Sequence, residues 1–80
     1  MIKVRIISPE KELFNGEAEA VFLPGTLGEF EVLEAHAPII SSLTKGEIRL
    51  RRGGSEESVR IESGFVRTGR GEMTVCVEER

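Results

Sequence analysis

The 80-residue chain has no aspartate, tryptophan or tyrosine, and it carries one histidine, His36, and one cysteine, Cys76. Each scarcity removes a class of function. A catalytic histidine needs a nucleophile and an orienting carboxylate, and a zinc site needs two or three further ligands. With this inventory a site within one chain would depend on glutamates alone, so no catalytic residue, metal or cofactor is assigned. Four Phe are too few for a base- or sugar-stacking platform. Fourteen acidic against eleven basic residues leave a net charge of -3, which repels phosphate backbones, so no nucleic-acid partner is expected. A lone cysteine closes no internal disulfide, and the first residues lack the basic head, apolar middle and small-residue cleavage site of a secretory signal. A reducing cytoplasm is the expected compartment. No apolar run reaches the roughly 20 residues of a membrane helix, so membrane association is expected to be indirect.

Helical periodicity is nearly absent as well; period-two alternation dominates. Ile2, Val4 and Ile6 alternate with Lys3 and Arg5 before the turn chemistry of Ser8-Pro9-Glu10-Lys11. Leu13-Phe14-Asn15-Gly16 predicts a short strand entering a tight bend. From Glu17 to Leu23 the alternation resumes, with Ala18, Ala20 and Phe22 on one face, until Pro24-Gly25-Thr26-Leu27-Gly28 ends the strand. Gly28 to Leu33 alternates again. Pro38 pushes Ala37 into extended geometry, so Ile39 to Leu43 reads as a strand. Ile48 and Leu50 then pair, across Gly53-Gly54-Ser55, with Val59 and Ile61. Two registers fit: one sets Ile48 opposite Ile61, the other Glu47 opposite Arg60 and Arg51 opposite Glu56. The pattern alone leaves both open. Phe65 to Thr68 and the alternating Met73, Val75 and Val77 close the series around Gly69-Arg70-Gly71. Many short strands separated by turns predict an all-β fold: a small antiparallel β-sandwich or flattened barrel, one domain over residues 1–80.

The residues that look chemical have plainer readings. Glu29 and Glu31 share one side of a strand, as paired catalytic carboxylates do, but without an aromatic wall or cleft they are a solvated face. Pro24-Gly25-Thr26-Leu27-Gly28 lacks the length and the Lys-Ser/Thr ending of a phosphate-binding loop. Arg49, Arg51 and Arg52 occupy the polar phase of a hairpin whose second strand supplies glutamates, a ladder before it is an anion site. One feature asks for more. Ile7 beside Ile6, Val21 beside Phe22, Ile40 beside Ile39 and Val66 beside Phe65 put apolar side chains on both strand phases. A two-layer sandwich needs one, so a partner covering the outer face is expected.

Along its whole length the chain resembles the epsilon subunit of F-type ATP synthase, called delta in mitochondria. The resemblance rests on SPEKELFNGEAEAVFLPGTLGEF, AHAPIIS, KGEIRLR and ESGFVRTGRGEMTVCVEE, in that order. It implies the family's N-terminal β-sandwich domain and a noncatalytic place in the central stalk, where the domain docks on the gamma subunit and on the polar loops of the c-ring. That position, peripheral on the cytoplasmic side of a bacterial plasma membrane, couples proton-driven rotation to ATP synthesis. The family's ring-facing loop maps onto Gly28, Glu29, Phe30 and Glu31, with His36 and Pro38 beside it, and Glu29 is the first candidate for a polar ring contact. Glu31 stands where the family usually has a second glycine, and Glu34-Ala35 where it has Pro-Gly. Most members continue into a two-helix C-terminal domain that inhibits ATP hydrolysis; this chain is expected to lack it. Two other readings share the all-β pattern: a free-standing small-ligand or carbohydrate module, and an enzyme using Glu29, Glu31 and His36.

Overall fold

Alternation at the two ends of the chain sets the centre of the fold. In the computed structural model, which describes residues 1–34 and 37–79, Ile2, Val4 and Ile6 of strand β1 (Ile2–Ile7) are buried. So are Met73, Val75 and Val77 of strand β9 (Glu72–Glu78). The two strands lie side by side, Val4 opposite Met73 and Ile6 opposite Val75, and they run parallel. Parallel neighbours need a long crossover, and here almost the whole chain supplies it. All other pairings among the described residues are antiparallel.

Between them come β2 (Glu12–Ala18), β3 (Ala20–Gly25), β4 (Gly28–Leu33), β5 (Ile40–Leu43), β6 (Gly46–Arg52), β7 (Ser55–Ile61) and β8 (Ser63–Gly69). Their spatial order is β2-β1-β9-β8-β5-β3-β6-β7, with β4 on the other edge of β3. β3 is the hub. Its free edge carries β4 along its length, while β6 pairs with Ala20 to Phe22 and β5 meets Gly25. The sheet curls until β2 reaches β6: the Glu19 amide donates to the Arg51 carbonyl at 2.8 Å, and Arg52 Nη1 to the Glu17 carbonyl at 3.4 Å. The all-β sandwich expected from the alternation is therefore present, rolled nearly into a barrel.

Inside it, Leu23, Ile48, Leu50, Ile61 and Val66 meet the β1 and β9 side chains in one aliphatic core. None of the four Phe is fully buried; Phe14 and Phe30 pack against the core from its margins. A small core without a large aromatic gives a stability margin of about 5 kcal/mol or less.

The local reading fails in two places. Asn15-Gly16 is not a bend: both residues lie inside β2, opposite Arg5 and Val4 of β1. Turn propensity yields there to pairing with a strand already fixed by the core, and the Asn15 amide is occupied, donating to Glu12 Oε2 at 3.3 Å. Glu17 to Leu23 is not one strand either. The chain breaks at Glu19, so Ala18, Ala20, Val21 and Leu23 are buried while Phe22 turns to the outer face. Unbroken Glu/Ala alternation hid that break. At the β6–β7 hairpin the structure takes the second register, Glu47 opposite Arg60 and Arg51 opposite Glu56, around Gly53-Gly54, both with positive φ. Ion pairs from Arg60 to Glu47 at 3.5 Å and from Arg52 to Glu57 at 3.4 Å line it.

Glu12 carries a pH dependence. Arg5 Nε donates to its Oε2 at 2.8 Å, and this bond, with the Asn15 amide, holds the carboxyl below its ordinary value of 4.5. A depressed folded-state pKa contributes stability that is complete above the unfolded value and is lost as pH falls through the folded one. Glu12→Gln is therefore expected to be slightly less stable than the unaltered chain near pH 7 and to flatten the acid limb of the stability curve, the two curves converging as pH falls below about 4.5 and through the folded-state value, as read by urea midpoints across pH.

Candidate docking surfaces

Two surfaces stand out, and they adjoin. The first is the tip of the β3–β4 hairpin, a turn at Thr26-Leu27 followed by Gly28, Glu29, Phe30 and Glu31. The tip is clamped to β5: the Thr26 amide donates to the Ser42 carbonyl at 3.2 Å, the two hydroxyls share a 3.0 Å hydrogen bond, and the Thr44 amide donates to the Pro24 carbonyl at 2.8 Å. Clamped in this way, Leu27 stands fully in solvent, a large apolar side chain held out by a turn.

The four candidate residues at the tip do different things. Gly28 closes the turn opposite Gly25. Glu29 is half-exposed and paired with Arg49 at 3.2 Å. Phe30 is half-buried against the core, its ring so close over Gly25 that a Cβ there would fall 2.8 Å from it; it shapes the hairpin more than it projects from it. Glu31 is exposed, opposite Phe22. Pro38 is exposed beside Ile40 at a shallow groove that also includes Arg67 and Thr68. His36 lies outside the described residues. Among the described residues no three His, Cys, Asp or Glu side chains form a metal-binding set; Glu29 and Glu31 lie on β4, whereas Pro38 precedes β5 at its Ile40 end.

Thr68, which no motif marks, anchors the segment around Pro38. Its hydroxyl is buried, 6% exposed, and accepts from the Ile39 amide at 2.9 Å while lying 3.5 Å from the Ala37 carbonyl, to which it donates. The Thr68 amide in turn donates to the Ile39 carbonyl at 2.9 Å. One buried polar side chain satisfies the backbone on both sides of Pro38, fixing the segment without regular strand pairing.

The second surface is the outer face of the β1-β9-β8-β5 layer. Ile7 lies opposite Cys76, Cys76 opposite Phe65, and Phe65 opposite Ser42, giving one continuous row across four strands. Ile40 sits diagonally from Phe65, two residues along β5. Phe65 is 54% and Ile40 77% exposed, and Pro9 lies with Ile7 and Phe65 at an open groove on this face. Of the four apolar pairs noted in the sequence, three turn one member, Ile7, Ile40 or Phe65, onto this face, with Val66 buried beside Phe65. In the fourth pair Val21 is buried and Phe22 lies under its own arginines, with the Arg49 guanidinium 4.4 Å from the ring centroid and that of Arg51 5.9 Å away. Its apolar surface is covered from within the chain, as the ladder reading of the arginines implies.

Comparison with known proteins agrees with this geometry. The family model for the β-sandwich domain of the ATP synthase delta/epsilon chain matches residues 1–80. An ATP synthase epsilon chain of Alkalihalophilus pseudofirmus is 32% identical over 77 residues, covering 96% of this chain and 58% of that protein. One from Caulobacter vibrioides is 36% identical over 73 residues, covering 91% of this chain and 85% of that protein. The chain thus spans little more than half the length of several relatives it matches. In fold it is similar to a chain of the Euglena gracilis mitochondrial ATP synthase OSCP/F1/c-ring structure, with a TM-score of 0.90 at 21% identity, over 98% of this chain and 51% of that one. A chain from the Tetrahymena thermophila central stalk and c-ring structure gives 0.82 at 13% identity, over 98% and 63%. By its sequence and its strand layout, this chain belongs to the ATP synthase delta/epsilon family and corresponds to that family's β-sandwich domain.

Proposed function

We propose that the chain is a noncatalytic joint of the ATP synthase rotor, gripping the gamma subunit with the apolar β1-β9-β8-β5 face and meeting the polar loops of the c-ring with the β3–β4 hairpin tip. The observation that carries this reading is the exposed pair Phe65 and Ile40, continued by the half-buried Ile7, on a face that runs up to a clamped, acidic hairpin end. An isolated soluble domain has no use for such a face, whereas a part that must transmit torque needs a wide apolar grip and a rigid second contact. The clamp of Thr26 on Ser42 and the Thr68 anchor supply rigidity at that contact. Membership of a membrane-associated complex makes its membrane attachment peripheral, on the cytoplasmic side in a bacterium.

The tip assignment is tested with Leu27→Cys in a Cys76→Ser background. Leu27 is fully exposed, so the change leaves the fold intact. The thiol is expected to react with a water-soluble maleimide in the free chain and at least about tenfold more slowly in the assembled rotor, because interface cores exclude water. Equal rates in both states would remove the tip from the ring contact.

A further inference from the structure

Glu29 is not a free carboxylate. On the outer face of β4, β3 and β6, Phe22 stands opposite Glu31 on one side and Arg49 on the other. The Arg49 guanidinium lies over the Phe22 ring, sends Nη2 to Glu29 Oε2 at 3.2 Å and sends Nη1 to Glu56 Oε2 at 3.4 Å. Three restraints act on one planar group: a ring beneath it and a carboxylate at each end. Among the described residues Glu29 Oε1 has no partner, so the pair occupies one oxygen and leaves the other for a donor from outside.

The magnitudes say what this arrangement is for. Arg49 is 33% exposed and both carboxylates about half exposed, and ion pairs this open to water add little to folding. Their larger effect is on the freedom of the glutamate. A long side chain loses rotamers when it docks, and holding it beforehand in one geometry removes part of that loss. A lysine would keep the charge but neither lie flat on Phe22 nor fork between two carboxylates.

We propose that Arg49 is a positioning residue for docking: it presents the Glu29 carboxylate at the hairpin tip in a fixed orientation, with Oε1 outward toward a hydrogen-bond donor of the partner. This rests on the reading of the tip as the ring contact.

The test measures affinity of the full chain for a gamma and c-ring subassembly in nanodiscs, with melting temperatures of each variant in parallel. Glu29→Gln is expected to weaken binding about tenfold, as loss of a charged contact does. Arg49→Met and Arg49→Lys should each weaken it about fivefold, within the range of an exposed pair, while melting like the unaltered chain. The double variant Glu29→Gln/Arg49→Met should bind no more weakly than Glu29→Gln alone, since Arg49 then has no carboxylate to orient. Equal losses from Arg49→Met in both backgrounds, or full affinity in Arg49→Lys, would overturn the positioning role while leaving Glu29 as a contact. Full affinity in Glu29→Gln would remove the contact itself, and the positioning role with it.

Discussion

Replacing Gly64 with alanine is expected to lower the unfolding free energy by about 3 kcal/mol, more than half of what a core of this size supplies. Gly64 lies in β8 opposite Val77 of β9. A Cβ at this position would collide with the Cys76 carbonyl oxygen and lie 3.1 Å from both Cα and Cγ1 of Val77. Two of these three obstacles are backbone, which cannot rotate away as a side-chain tip does. Relief requires β8 and β9 to separate, and β9 is the strand on which β1 packs in parallel, so the strain reaches the centre of the core. Gly69 is the control: an added methyl there meets nothing within 4 Å, and Gly69→Ala should stay within about 0.5 kcal/mol of the unaltered chain. Urea unfolding followed by circular dichroism distinguishes the two. A Gly64→Ala midpoint matching that of Gly69→Ala would show that the sheet yields there without cost.

The second large effect is on association. Phe65→Glu is expected to leave the melting temperature close to that of the unaltered chain, since the ring is 54% exposed, and to weaken binding to the gamma subunit by about a hundredfold or more. Aromatic anchors at the centre of an interface commonly contribute 2 kcal/mol or more, and a charge placed there is left desolvated and unpaired. Its centrality follows from its place in the row: Cys76 and Ile7 flank it on one side, Ser42 on the other, and Ile40 diagonally. Ser58, on the opposite outer face across from Arg49, is the control, and Ser58→Ala should bind normally. If Phe65→Glu binds with full affinity while Ser58→Ala does not, the grip lies on the charged face instead.

How much of this was legible in the sequence depended on whether the controlling contact was local. The alternation of Ile2, Val4 and Ile6 and of Met73, Val75 and Val77 identified buried faces because side-chain direction in a strand is a local property. That the two strands are parallel neighbours was not legible, because the pairing joins the chain's ends and leaves no mark in either segment. Asn15-Gly16 misled for the same reason: its turn propensity is local, and the β1 strand that overrides it is not. At the hairpin both registers satisfied some charge pairs, and the two-residue turn at Gly53-Gly54 decided between them. Apolar residues on both phases correctly signalled an outer surface, but only the fold separates Phe22, covered by Arg49, from Phe65, which is not. Glu29 was reached through family resemblance rather than chemistry. Thr68 was missed because a lone threonine in a strand looks the same whether it anchors a neighbouring segment or faces water, and Arg49, read with Arg51 and Arg52 as a hairpin ladder, reaches across β3 to Glu29 only in the fold.

The central claim, that this sandwich is a joint between rotor parts, is tested most directly by native mass spectrometry of the chain mixed with the gamma subunit from the same source. A one-to-one complex that survives into the gas phase, and that Phe65→Glu abolishes, is the predicted result. Two folded proteins that remain separate at concentrations well above those in the assembled enzyme would contradict it.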